Sequence, residues 1–138
     1  MTVAFAIKAE VRDLSARTLV FRAQKTMYGG KRIAKGDAIF VFASERKGGQ
    51  GLVARGVVTS AKAVARKPGV ARQTPRVSVT IRCAARAKRP LGQRELRPFA
   101  EWSDGRPETE LNFKLYRQAT NKIIGVSDQT AAFLRGFF

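Results

Sequence analysis

Over residues 2–12 apolar and polar positions alternate. Val3, Phe5, Ile7, Ala9 and Val11 fall on one face, with Lys8, Glu10 and Arg12 mostly on the other. A period of two predicts a half-buried strand. Beyond Asp13-Leu14-Ser15, the apolar run Thr18-Leu19-Val20-Phe21 fits either a strand or a brief helical turn, and Tyr28-Gly29-Gly30 marks a loop. Lys35-Gly36-Asp37 reads as a tight turn feeding the run Ala38–Ala43, which is apolar on both faces and so predicts a central, fully buried strand.

The segment 44–51 holds Lys47, Gly48 and Gly49 and predicts a hairpin connection into a β-branched strand over 52–58. Gly56 inside that strand predicts a bulge or tight bend of the kind a closed barrel needs. After the break at Lys67-Pro68-Gly69, Val77, Val79, Ile81 and Cys83 alternate with Arg76, Ser78, Thr80 and Arg82, a strand with a wet cationic face. Further breaks fall at Lys88–Gly92 and at Trp102–Pro107. Leu111, Leu115, Tyr116 and Ala119 suit a helix, while Leu111, Phe113 and Leu115 also suit a strand, with the helix preferred. Ser127 as N-cap and Asp128 in the first turn start a short terminal helix through Arg135. Strands in the first 85 residues or so and short helices in the last 40 or so predict a small, strongly bent sheet or barrel.

Composition narrows what such a barrel does. Of 138 residues, 44% are apolar, which supports one domain and one core. The 27 Lys and Arg against 10 Asp and Glu give a net charge of +17, so a polyanion is the natural partner. His is absent and Cys83 is the one cysteine, which excludes the common zinc clusters, Ser-His-Asp triads, Cys-His pairs and an internal disulfide. That fits a reducing, cytoplasmic setting. No apolar stretch approaches the length of a membrane span or resembles a secretory leader.

Charge is also segregated. No acid lies between Glu45 and Glu95, while Arg46, Lys47, Arg66, Arg72, Arg76 and Arg82 are among the many cations there. Like charges at close range destabilise a fold, so the one-sign stretch predicts a surface that tracks phosphates, and its Arg content favours bidentate contacts. Lys47-Gly48-Gly49-Gln50-Gly51 is a hairpin tip, because no Lys-Ser/Thr or helix follows it. Trp102 and Tyr28 sit in polar or glycine-rich surroundings where an aromatic ring can stack on a base, although Trp102 fits equally well as a lid on the core. The run from Tyr116 through Arg117, Asn121 and Lys122 is dense in groups that bond base edges or phosphates, and reads equally as a helix end capped by Asn121. Glu101, Asp104, Glu108 and Glu110 offer a metal-dependent nuclease as an alternative, with a loop that offsets the basic face as the simpler reading.

Lys35-Gly36-Asp37, the strand ending Phe42-Ala43-Ser44, and Gly51-Leu52-Val53-Ala54-Arg55-Gly56-Val57-Val58 resemble the corresponding progression in PUA-like domains, especially the EVE and ASCH branches. The resemblance implies a pseudo-barrel with flanking helices that binds RNA or DNA, in some branches holding a modified base in an aromatic-lined pocket. The expectation is therefore an α+β fold, a PUA-like mixed β-barrel with short flanking helices forming a single domain over 1–138. Its expected role is non-catalytic binding of RNA or modified-base DNA, without cofactor, metal or membrane and without a set oligomeric state. The expected contacts are Tyr28, Lys31, Arg32, Arg46, Lys47, Arg76, Arg82, Trp102, Tyr116, Arg117, Asn121 and Lys122. A small nuclease and a basic protein packed on ribosomal RNA are the alternatives.

Overall fold

The computed structural model describes residues 4–118 and 120–138, so Val3 and Ala119 lie outside the described residues. Six strands, β1 (Ala4–Ala9), β2 (Thr18–Met27), β3 (Ala38–Ala43), β4 (Gly51–Ala63), β5 (Arg76–Arg86) and β6 (Lys122–Val126), close into a barrel in the order β1-β3-β4-β5-β2-β6. The pairs β1–β3 and β2–β6 are parallel and the other four antiparallel, which makes the barrel mixed. Three short helices flank it: α1 (Gln93–Leu96), α2 (Pro107–Leu111) and α3 (Asp128–Arg135). Among the described residues no helix is long and apolar enough to cross a membrane.

The pleat sorts the apolar residues into two cores. Phe5, Ile7 and Ala9 of β1, Ile39 and Val41 of β3, and Val77, Val79 and Ile81 of β5 point into the barrel. Ala4, Ala6, Phe40 and Phe42 project from the opposite face, where Leu96, Leu111, Leu115, Leu134 and Phe137 cover them. The helical layer thus closes over the outer wall of β1, β3 and β6. Here the sequence expectation for the first strand is corrected: β1 is buried on both faces, Lys8 included at 3% exposure. Alternation along the chain could not anticipate the helices arriving from more than 80 residues away.

Other elements follow local chemistry. Residues 18–21 open β2, so the strand reading holds there. Gly56 sits at a register shift between β4 and β5, as the bulge reading requires, and a Cβ there would collide with the carbonyl of Arg82. Pro107 opens α2, with Glu108 and Glu110 in its first turn, and the chain then widens into a π-type turn at Asn112–Tyr116. The helix preferred around Leu111 is therefore present, but it starts earlier and loosens at its end. Ser127 caps α3, its Oγ accepting from the Thr130 N–H at 3.2 Å.

Gly30 marks a close backbone approach. A Cβ at this position would overlap the backbone carbonyl of Ile123, so the loop after β2 and the start of β6 can touch only through glycine. Gly30→Ala should therefore cost about 1–3 kcal/mol, read as a lower urea midpoint with an unchanged m-value. An unchanged midpoint would mean that this contact is slack.

Candidate nucleic-acid interface

Where β1 and β3 end beneath the helical layer, a cavity of about 120 Å³ is lined by Lys8, Ser44, Glu45, Arg46, Gln93 and Tyr116. Glu45 organises it. Its Oε2 accepts the Gln93 N–H at 2.7 Å, and the Tyr116 hydroxyl donates to both carboxylate oxygens at 3.0 and 3.1 Å. One carboxylate therefore joins the segment after β3 to the start of α1 and to the π-type turn. Lys8 reaches the same cluster from β1: its Nζ donates to the Leu115 carbonyl at 2.8 Å and lies 4.9 Å from the centre of the Tyr116 ring.

Burial dominates the electrostatics. It lowers the Lys8 pKa, with Glu45 opposing and Arg46 reinforcing that shift. The Tyr116 phenol is raised, first by burial and then by the charge and hydrogen bond of Glu45, so it stays protonated and donates. A carboxylate offers about four acceptor positions, so Glu45 retains capacity for a further donor beyond Gln93 and Tyr116. The cavity accordingly presents an anionic acceptor beside a cationic donor.

Gln93 and Tyr116 also border a wider cavity of about 640 Å³, whose wall includes Arg97, Phe99, Trp102, Asn112, Phe113 and Arg117. Trp102 is 77% exposed, which rules out the reading of it as a lid on the core. The Arg117 guanidinium lies 4.7 Å from the Phe113 ring centre, and Tyr28 meets Phe113 edge-on with ring centres 6.1 Å apart. Tyr28 adopts a φ of 53°, a left-handed conformation uncommon outside glycine, while its carbonyl accepts the Gly125 N–H at 3.1 Å.

Of the residues singled out from sequence, Trp102, Tyr116, Arg117 and Arg46 come together around these two cavities, with Tyr28 one ring away. Arg32 lies beside Tyr28 on the next concavity. Lys31 and Arg76 line a separate basic groove. Lys47 is exposed just past Glu45, Arg82 is exposed on the outer face of β5, and Asn121 is half-buried before β6. Lys122 is only 1% exposed and donates to the Gln118 carbonyl at 3.0 Å. Sequence reasoning missed Lys8, Glu45, Gln93 and Phe113. Glu45 had carried a signal, because it is the last acid before a long cationic stretch.

Two of the late carboxylates, Asp104 and Glu110, serve the fold. Glu110 accepts from the Ser127 N–H and hydroxyl, the Thr130 hydroxyl and Lys114. Burial opposes its ionisation, but these hydrogen bonds together win and lower its pKa. Asp104 accepts the Arg106 N–H and the Thr109 hydroxyl. Among the described residues no group of three His, Cys, Asp or Glu side chains is placed to hold a metal ion. Burial raises the Cys83 thiol, with Arg86 opposing, which keeps it a poor nucleophile.

No protein-family model matches the chain, and comparison with curated proteins finds no match. Solved structures do share its fold. The DUF55 domain of human thymocyte nuclear protein 1 superposes with a TM-score of 0.65 at 14% identity, covering 96% of each chain. A hypothetical protein from Leishmania major gives 0.64 at 16% identity, covering 99% of this chain and 94% of its own. Human THYN1 protein in complex with 5-methylcytosine-containing DNA gives 0.57 at 15% identity, covering 98% of this chain and 96% of that one. The fold is thus PUA-like. It is of the type seen in the DUF55 domain of human thymocyte nuclear protein 1, a mixed α+β barrel with short flanking helices as the sequence resemblance implied.

Lys122 supplies a test of the electrostatics. Burial first, then the charges of Lys8 and Lys25, lower its pKa from 10.5 to about 8. Below pH 8 the ammonium is charged in both folded and unfolded states and its burial penalty is felt in full. Between about pH 8 and 10.5 the unfolded chain binds more protons, so this group makes stability rise with pH. Lys122→Met should therefore unfold at higher urea than the parent at pH 7, with the gap narrowing toward pH 10. A gap that widens instead would reverse the sign of the assignment.

Proposed function

We propose that this protein is a non-catalytic nucleic-acid reader that takes one unpaired or extruded base into the Glu45 cavity, with a modified cytosine in DNA as the leading ligand. The observation that carries the reading is the acceptor–donor pair of Glu45 and Lys8 lining a cavity of about 120 Å³. Drug-sized ligands fill roughly 300–1,000 Å³, so this cavity suits a single ring. Cytosine presents an amino donor at N4 next to its N3 and O2 acceptors. A carboxylate accepts from N4 and an ammonium donates to the neighbouring acceptors, which is the complement offered here.

The wider aromatic cavity supports the same reading. A base withdrawn from a duplex leaves its neighbours unstacked, and Trp102, Phe113 and Arg117 offer faces on which a neighbour can rest. The complex of human THYN1 protein with 5-methylcytosine-containing DNA adds support from a protein of the same fold. Against the nuclease alternative stands the use of Glu110 and Asp104 as structural acceptors.

Titration of oligonucleotides carrying 5-methylcytosine, cytosine or thymine tests this directly. Glu45→Gln should weaken binding of the cytosine-type ligands by about 1–3 kcal/mol and erase the preference over thymine. Trp102→Ala should weaken all three by about 1–3 kcal/mol without moving the melting temperature, given its exposure. Equal affinity for the three bases in the parent protein would sink the base-reading assignment, and Mg²⁺-dependent cleavage of the oligonucleotides would replace it with the nuclease.

A further inference from the structure

The chain between β4 and β5, residues 64–75, is a shaped loop. Gln73 pins it, its side chain accepting the Lys67 N–H at 2.9 Å and donating to the carbonyls of Lys67 and Val70 at 2.7 and 3.1 Å. Arg66 donates to the Ala71 carbonyl at 3.3 Å, and Thr26 of β2 donates from both its N–H and hydroxyl to the Pro75 carbonyl. Between this loop and the end of β2 runs a groove of about 580 Å³, walled by Lys25, Lys31, Arg66, Lys67, Arg72 and Arg76 and by no acid. None of these six forms an ion pair among the described residues, where the pairs are Glu10–Arg12 and Glu110–Lys114. Val64 and Val70, 40% and 47% exposed, give the groove an apolar wall against which sugars can pack.

Strand register ties the groove to the base cavity. Lys8 of β1 is opposite Lys122 of β6, Thr26 of β2 is beside Ile123 of β6, and Lys25 of β2 is opposite Arg76 of β5. Lys8, Lys122, Lys25 and Arg76 therefore form one row across four neighbouring strands. Lys8 lines the cavity at one end, and Lys25 and Arg76 line the groove at the other. Three strand spacings separate the ends, about 14 Å along the barrel wall. Lys8 and Lys122 are buried within the row, so an anion meets it at the groove end, through the half-buried Lys25 and the exposed Arg76, and relieves there the cost of like charges in adjacent cross-strand positions.

We propose that this groove holds the phosphodiester backbone flanking the base that enters the Glu45 cavity, so that one nucleic-acid strand spans both. The inference rests on the base-reading function for its second anchor, while the groove itself stands on the loop geometry and its charge. The backbone is bound through phosphates and sugars, with no base edge read there.

The test uses the full chain, with 5-methyl-dCMP as the short ligand and a single strand of about a dozen nucleotides, carrying one 5-methylcytosine, as the long one. Lys67→Glu with Arg72→Glu changes two exposed side chains and leaves the Gln73 contacts in place. The double variant should lose at least tenfold in affinity for the long ligand. Its log-log salt slope should fall by roughly 1–2, at about 0.7 per phosphate, with 5-methyl-dCMP binding unchanged. Parent-like affinity and slope for the long ligand overturn the groove, and a Glu45→Gln loss in the same series would then leave the base cavity standing. Equal losses on both ligands also overturn it, as would loss of binding to phosphatidylserine vesicles with the oligonucleotide unaffected. If Glu45→Gln changes nothing while the double variant still weakens the long ligand, the groove holds and the base cavity fails.

Discussion

Burying a lysine on a strand that is covered on both faces is the constraint around which the Glu45 cavity is organised. An ammonium in a low-dielectric setting needs partners close by, and Lys8 finds the Leu115 carbonyl, the Tyr116 ring and the field of Glu45. Those partners come from two separate stretches of chain. Satisfying Lys8 therefore fixes how the π-type turn sits over β1, and Glu45, by accepting from Gln93 and Tyr116, fixes how α1 meets both. The cavity is what remains between groups that are already committed to holding one another.

That constraint also explains which parts of the structure were legible in the sequence. Strands β3, β4 and β5 follow from local patterns, because an apolar run, a β-branched run and a strict alternation each report their own surroundings. Even the bulge at Gly56 and the cap at Ser127 are local events. Lys8 was not legible: within 2–12 it occupies the polar phase of an alternating strand, and only the later helices turn that phase inward. Helix α1 was missed because four residues carry too little periodicity to register. Tyr116, Arg117 and Trp102 drew attention through their chemistry, whereas Gln93 contributes its backbone N–H, which has no sequence signature.

The long-range charge pattern was visible in outline and only resolved by topology. The acid-free stretch from Arg46 to Arg94 is spread over β4, β5 and their connection, so its side chains do not share one face. Arg82 ends on the outer wall of β5, Arg46 at the small cavity, and Arg66 and Arg72 at the loop. The closed barrel brings Lys8, Lys25 and Lys122 into register with Arg76, although three of the four lie outside that stretch. Cross-strand pairing therefore concentrates positive charge that linear inspection disperses.

The acids complete this logic by what they are used for. Asp13, Asp37, Glu45, Glu95, Asp104 and Glu110 each accept from backbone N–H or hydroxyl donors within a few turns of chain or across one contact. Against 27 Lys and Arg, two ion pairs form among the described residues. Had the carboxylates been spent on neutralising lysines and arginines, the turns and helix starts would have needed other caps, and the surface would carry little net field. Spending them on the backbone stabilises the frame and leaves most of the cations without a carboxylate partner among the described residues. A field of that sign concentrates polyanions at the surface.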